Sequence, residues 1–117
     1  MNFQSITTTE DVLTTAEKEN LYSKLIQQIN KDFNLANEAI DFPESTTPNE
    51  LKIQLSEKIY RLIQYNFAEY LNLLYIIDVP EETIRQLEGY DITVLADQVA
   101  FLIVKREWMK VWFRNKY

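Results

Sequence analysis

The chain contains no cysteine and no histidine. Without cysteine there is no disulfide, no thiolate nucleophile, and no ligand set for a zinc ribbon or iron–sulfur cluster. Without histidine it lacks the commonest general base, the usual imidazole metal ligand and the ordinary switch between pH 5 and 8. Glycine occurs once, at Gly89, and proline three times. So few turn formers point to a small number of long elements, and therefore to helices. Gly-rich phosphate loops with Lys and Ser/Thr, GxGxxG fingerprints and nucleophile elbows are all missing, and a catalytic triad has no histidine to use. Neither catalytic residues nor a cofactor or metal site is expected, and the chain is read as non-enzymatic.

Two further absences bear on location. The opening MNFQSITTTED has neither a basic n-region nor an apolar h-region, so no secretory signal is read and a cytoplasmic protein is expected. The most apolar stretch, residues 59–77, is interrupted by Arg61, Gln64, Asn66, Glu69 and Asn72. That set is too polar for a lipid-facing span.

What is present is an ordinary single-domain length of 117 residues, 46% apolar and 13% aromatic, with net charge −6. This is enough to build one core. The charge is uneven: residues 1–104 carry 7 basic and 17 acidic side chains, whereas KREWMKVWFRNKY, residues 105–117, carries 5 basic and 1 acidic. An acidic body repels phosphate, so only the tail is suited to a polyanion.

Residues 1–13 are polar and Thr-rich and read as a flexible arm unless Phe3 and Ile6 dock; 14–117 read as one helical domain. Thr14 is a candidate N-cap with Glu17 in the capping-box position. Leu21, Leu25, Ile29, Phe33, Ala36 and Ile40 then recur at helical spacing, predicting a first helix over 15–40. Thr47, Pro48 and Glu50 form a strong start signal for a second helix over 48–77. Its second half holds fourteen apolar residues in nineteen. A helix apolar on most sides must be covered on most sides, so it is expected to be central. Asp78 is expected to cap a short connecting helix over 79–88, with Pro80 and Glu81 in its first turn and Gly89 closing it. Asp91 caps a last helix over 92–115 built on Ile92, Leu95, Val99, Leu102, Ile103, Met109 and Phe113. Its VAFLIV segment permits a buried strand, but the flanks keep helical spacing and no second strand is available to pair.

The expectation is an all-α, up-down-up bundle of three long helices and one short connector. Residues 59–77 and VAFLIV are wider than a three-rod core requires, which predicts a homodimer or other homo-oligomer.

Within the tail, Trp108 and Trp112 stand at i, i+4, with Met109 and Phe113 on the neighbouring face. Aromatics at this spacing suit a core, and the cations suit a helix C-terminus. Trp beside Arg also suits an interaction hot spot, which makes Trp108, Trp112 and Arg114 the candidate partner contacts. In Trp112, Phe113 and Asn115 the segment KVWFRNKY resembles the recognition-helix core of homeodomains. The likeness covers about eight residues. It implies buried Trp112 and Phe113, a base-reading Asn115 and a groove-facing Arg114. That family also has a separate helix and turn just upstream, whereas 92–115 read here as one helix, so nucleic acid is not the expected partner.

Arg106 falls in the expected core column and needs a carboxylate. Glu69, on the polar stripe of the second helix, is the predicted partner in a structural ion pair. Asp78, Glu81 and Glu82 are read as capping residues, because their spacing is that of a first helical turn. Tyr60, Tyr65, Tyr70 and Tyr75 recur every five residues and are spread around the helix. The function expected from these features is a small protein-interaction module that self-associates. The alternatives are an acidic, immunity-type inhibitor of a basic protein, and a nucleic-acid or anionic-surface binder acting through the basic aromatic end of the last helix.

Overall fold

The computed structural model describes residues 1–87 and 91–116, so the expected stop at Gly89 lies outside the described residues. All regular structure among them is helical. A 3-10 turn at Phe3–Ser5 precedes α1 (Thr9–Lys18), α2 (Tyr22–Leu35), α3 (Pro48–Tyr65), α4 (Phe67–Ile77), α5 (Glu81–Arg85) and α6 (Ile92–Lys116). No helix among the described residues is long and apolar enough to cross a membrane.

The expected helix over 15–40 is two helices, divided at Asn20. Asn20 takes φ 59°, its N–H donates to the Glu17 carbonyl, and the Leu21 N–H reaches back to Ala16 at 2.9 Å. These two bonds form a Schellman turn, which satisfies carbonyls the helix would otherwise leave open. The cap of α1 is accordingly Thr8, not Thr14: its side chain accepts from the Asp11 N–H. The same turn closes α2 at Asn37 (φ 63°), with Glu38 N–H on the Phe33 carbonyl, and α4 at Asp78 (φ 69°), with Val79 N–H on Leu74. A left-handed residue is ordinarily glycine; Asn and Asp are the side chains that tolerate it best. Asp78 is thus the C-terminal turn of α4 and not the cap of α5, whose N-cap position is Pro80.

The expected helix over 48–77 begins as predicted, with the Thr47 hydroxyl accepting from the Glu50 N–H and Pro48 in the first turn. It breaks at Asn66, where φ −141° and ψ 63° leave the helical region. The break resets the phase of the buried face. Leu51, Leu55, Ile59 and Leu62 are buried on α3, and an unbroken helix would continue that column through Asn66 and Glu69. Instead Tyr70, Leu73, Leu74 and Ile77 turn inward on α4, and Glu69 is exposed.

The last helix matches its predicted span closely, with the Asp91 carboxylate accepting from the Thr93 N–H. It, and not residues 59–77, is central: α6 packs on α1, α2, α3 and α4. Ala96, Val99, Ala100, Ile103, Val104, Glu107, Trp108 and Val111 are all buried. The buried face is rotated from the expected one, so Leu95, Leu102 and Met109 are half-buried and Phe113 is exposed.

Residues 1–13, read as an arm, dock onto this helix. Ile6 is buried and its carbonyl accepts from Lys105 Nζ at 3.3 Å. The Phe3 ring meets Trp112 edge-on at 5.9 Å and Phe113 at 5.7 Å. The connection between α2 and α3 is pinned as well. Asn30 Nδ2 donates to the Phe42 carbonyl and its Oδ1 accepts the Phe42 N–H, both at 2.9 Å, while the Tyr22 hydroxyl donates to the Thr46 carbonyl.

Candidate functional site

The aromatic and basic end of α6 divides into three environments. Trp108 is fully buried and belongs to the core, so it is not a surface contact as expected. Trp112 is half-buried beneath Phe3 and beside Phe113. Arg114 is exposed, and its Nη1 donates to Gln28 Oε1 at 2.8 Å. The reason is the helical repeat: Trp108 continues the Val104 and Val111 column, whereas Arg114 lies one step outside it.

Arg106 is paired with Asp78 and not with Glu69. Its Nη2 lies 3.0 Å from Asp78 Oδ2, and its Nε donates to the Asp78 carbonyl at 3.1 Å. The phase shift at Asn66 carries Glu69 to solvent, while the left-handed turn at Asp78 presents both a carboxylate and a free carbonyl to α6. Asp78 is largely exposed, so the pair contributes about 0–1 kcal/mol.

A buried polar cluster that the sequence reading missed lies between α2 and α6. Asp32 and Glu107 are both buried. Lys110 Nζ bridges them, 2.7 Å from Asp32 Oδ2 and 3.1 Å from Glu107 Oε1. Gln28 Nε2 donates to Asp32 Oδ2 at 3.0 Å, and its carbonyl oxygen receives Arg114. Burial, reinforced by the neighbouring Asp32, pushes the Glu107 carboxyl up to about 9. Asp32 moves the other way: burial opposes its charge, but hydrogen bonds from Glu107, Lys110 and Gln28 outweigh it and hold the carboxyl below its usual range. Glu107 Oε2 has no donor directed at it. A protonated Glu107 carboxyl can donate to Asp32, which accounts for the opposite shifts of the pair. Of the two carboxyl groups, Glu107 is thus the one that keeps its proton at neutral pH and Asp32 the one that is charged. The signal was present in the column Ala96, Ala100, Ile103, Glu107, Val111, which only becomes visible once the face of α6 is correctly phased.

The largest apolar exposure is on α4. Phe67, Leu71 and Tyr75 are 56%, 50% and 81% exposed and recur at i, i+4, i+8. Successive members of such a series turn by about 40°, so the three form one stripe. Glu69 is the single charge on this helix. At its C-terminal end the stripe borders a groove of about 420 Å³ lined by Leu71, Leu74, Tyr75, Val79, Pro80 and Ile84 together with the acidic Asp78 and Glu81. The tyrosines are dispersed as expected: Tyr70 is buried, Tyr60 half-buried, Tyr65 and Tyr75 exposed. No group of three carboxylates among the described residues is placed to hold a metal ion.

No family model, curated protein or solved structure matches this chain.

Proposed function

We propose that the protein is a non-enzymatic interaction module that self-associates through α4. The observation that carries this reading is the exposed stripe Phe67, Leu71, Tyr75 with a groove at one end and an aromatic knob at the other. An antiparallel pair of α4 helices centred on Leu71 brings Leu71 against its own copy. It also places Phe67 of each chain over Tyr75 and the groove of the second copy. Knob and groove are thus complementary within one surface, which is the requirement of a two-fold interface. The charge is compatible with a second copy: the chain is net −6, yet the stripe itself carries none, so like-charge repulsion comes from Asp78 and Glu81 of the groove, which stand against Arg106 and Arg85. With aromatic side chains covering roughly 150–250 Å² each, the stripe offers on the order of 400 Å², about half of one partner's share of a standard interface. The groove wall extends it. Asp32 and Glu107, the closely coupled carboxyl pair among the described residues, are both buried and closed to a substrate, which is in keeping with the non-enzymatic part of the reading.

Sedimentation across the micromolar range tests the proposal. Wild type is expected to shift from monomer to dimer with concentration, Leu71→Glu to remain monomeric, and Phe67→Ala to dimerise more weakly, all three with the same helical circular dichroism. A wild type that stays monomeric throughout that range rules the reading out.

A further inference from the structure

A second surface, on the opposite chemical principle, lies between α2 and the end of α6. It is a groove of about 180 Å³ lined by Lys24, Gln27, Gln28, Lys31, Val111, Arg114 and Asn115, with no carboxylate among these residues. Most basic side chains of this acidic chain stand against an acid: Lys52 on Glu10, Lys58 on Glu38, Arg61 on Glu57, Arg85 on Glu81, Arg106 on Asp78 and Lys116 on Glu19. Among the described residues Lys18, Lys24, Lys31, Lys105 and Arg114 have no such ion pair, and Lys24, Lys31 and Arg114 converge on one groove. Holding three like charges together without a counter-ion is unfavourable, and an anion placed among them removes that cost.

The groove is organised from beneath. Gln28 is 5% exposed; its amide nitrogen is fixed by Asp32 and its carbonyl oxygen receives Arg114. Arg114 is therefore oriented by a neutral group that leaves its charge intact and most of its five N–H donors unused. The acids below do not compensate the cations, since Asp32 is matched by Lys110 at 2.7 Å and Glu107 is held in its neutral form. The partial negative charge at the C-terminus of α6 amounts to about half an elementary charge, well short of three cations. Gln27 and Asn115 add neutral amides to the rim, held by Glu44 and the Val111 carbonyl.

We infer that this groove is a binding site for a phosphate monoester group, gripped by the Arg114 guanidinium with Lys24 and Lys31 closing on the remaining oxygens. Size favours a group of this kind: at about 30 Å³ per water the space holds roughly six waters, enough for a phosphoryl group and the first atoms of its carrier. It falls below the range of about 300–1,000 Å³ that encloses a whole cofactor. A forked guanidinium flanked by two ammonium groups matches a dianionic tetrahedral oxyanion better than a planar monocarboxylate.

Titration of the ¹⁵N-labelled full chain with inorganic phosphate, at ionic strength held constant with chloride, tests the site. Saturable shifts confined to residues 24–31 and 111–115 are expected. Arg114→Gln is expected to weaken binding about tenfold or more, as loss of a charge-assisted forked contact does. Lys31 is exposed and its side chain makes no hydrogen bond or ion pair among the described residues, so Lys31→Gln is expected to leave the fold intact and to weaken binding in the same sense. A parallel titration with O-phosphoserine separates free phosphate from a carried phosphoryl group: equal affinities assign the former, tighter binding of the ester the latter. Shifts that grow without saturation and extend to Lys18 and Lys105 would overturn the site, as would phosphate affinity unchanged in both variants. Binding confined to an RNA oligonucleotide, with no phosphate response, would also overturn it.

Discussion

Glu107 brings a carboxyl group into the middle of α6 with no exposure to water, and the protein accommodates it by keeping the proton on. Because the group binds its proton more tightly folded than unfolded, the native state carries the extra proton between the ordinary carboxyl value of 4.5 and about 9. Stability from this group is therefore fully present below pH 4.5 and is lost as pH rises through that window. Asp32, whose value is lowered, acts oppositely: its contribution is present at neutral pH and is lost on acidification through and below its usual value of 3.8. Urea melts at pH 5, 7 and 9 are expected to show declining stability for wild type and a flatter profile for Glu107→Gln. The amide can donate to Asp32 and accept from Lys110 without ever ionising. Lys110→Met, which strands the Asp32 carboxylate, is expected to cost about 3–5 kcal/mol, read from the same melts at pH 7.

At the scale of elements, helix stops decide the architecture, and they are written in asparagine and aspartate. Asn20 and Asn37 both hold left-handed φ with a completed Schellman turn. Replacement by alanine is expected to cost roughly 1–2 kcal/mol at either position, and replacement by glycine to restore wild-type stability or exceed it, as measured by thermal melting. These stops also explain what could be read from the chain and what could not. Starts marked by a hydroxyl, a proline and an acid were legible at Thr47, as was the Asp91 start of α6. Apolar periodicity alone runs straight through Asn20 and Asn66, because neither residue interrupts the hydrophobic spacing around it. The missed break at Asn66 then propagated, since it is what sends Glu69 outward and leaves Arg106 to Asp78. The candidate contacts at the tail fared according to phase as well: Arg114 reached the surface, Trp112 half reached it, and Trp108 became core. Trp108→Ala is accordingly expected to cost about 3–5 kcal/mol by denaturant melting, a burial effect and not a binding effect. Trp108→Phe should cost less, since the indole Nε1 makes no hydrogen bond to lose.

The whole molecule separates two kinds of surface. The α4 stripe is apolar and uncharged, and the α2–α6 groove is cationic on a chain of net charge −6. Salt should discriminate between them. Raising ionic strength is expected to leave dimerisation through α4 unchanged or slightly stronger by sedimentation, while phosphate affinity at the groove falls. A dimer that dissociates on adding salt would point to an interface made of charges and away from α4.

The central position of α6 also bears on how the chain reaches its native state. Its ties are distant in sequence: Lys105 to Ile6, Arg114 to Gln28 and Lys110 to Asp32. Small helical proteins usually fold fast because their contacts are local, whereas here the chain must close large loops before the core is complete. α1 packs on α2 and α3, and α4 joins the same two helices, but the largest helix–helix contact, α3 on α6, is completed only when α6 is in place. Folding is therefore expected as one concerted transition, slower than that of an up-and-down bundle of equal length, with no autonomous unit in the first eighty residues.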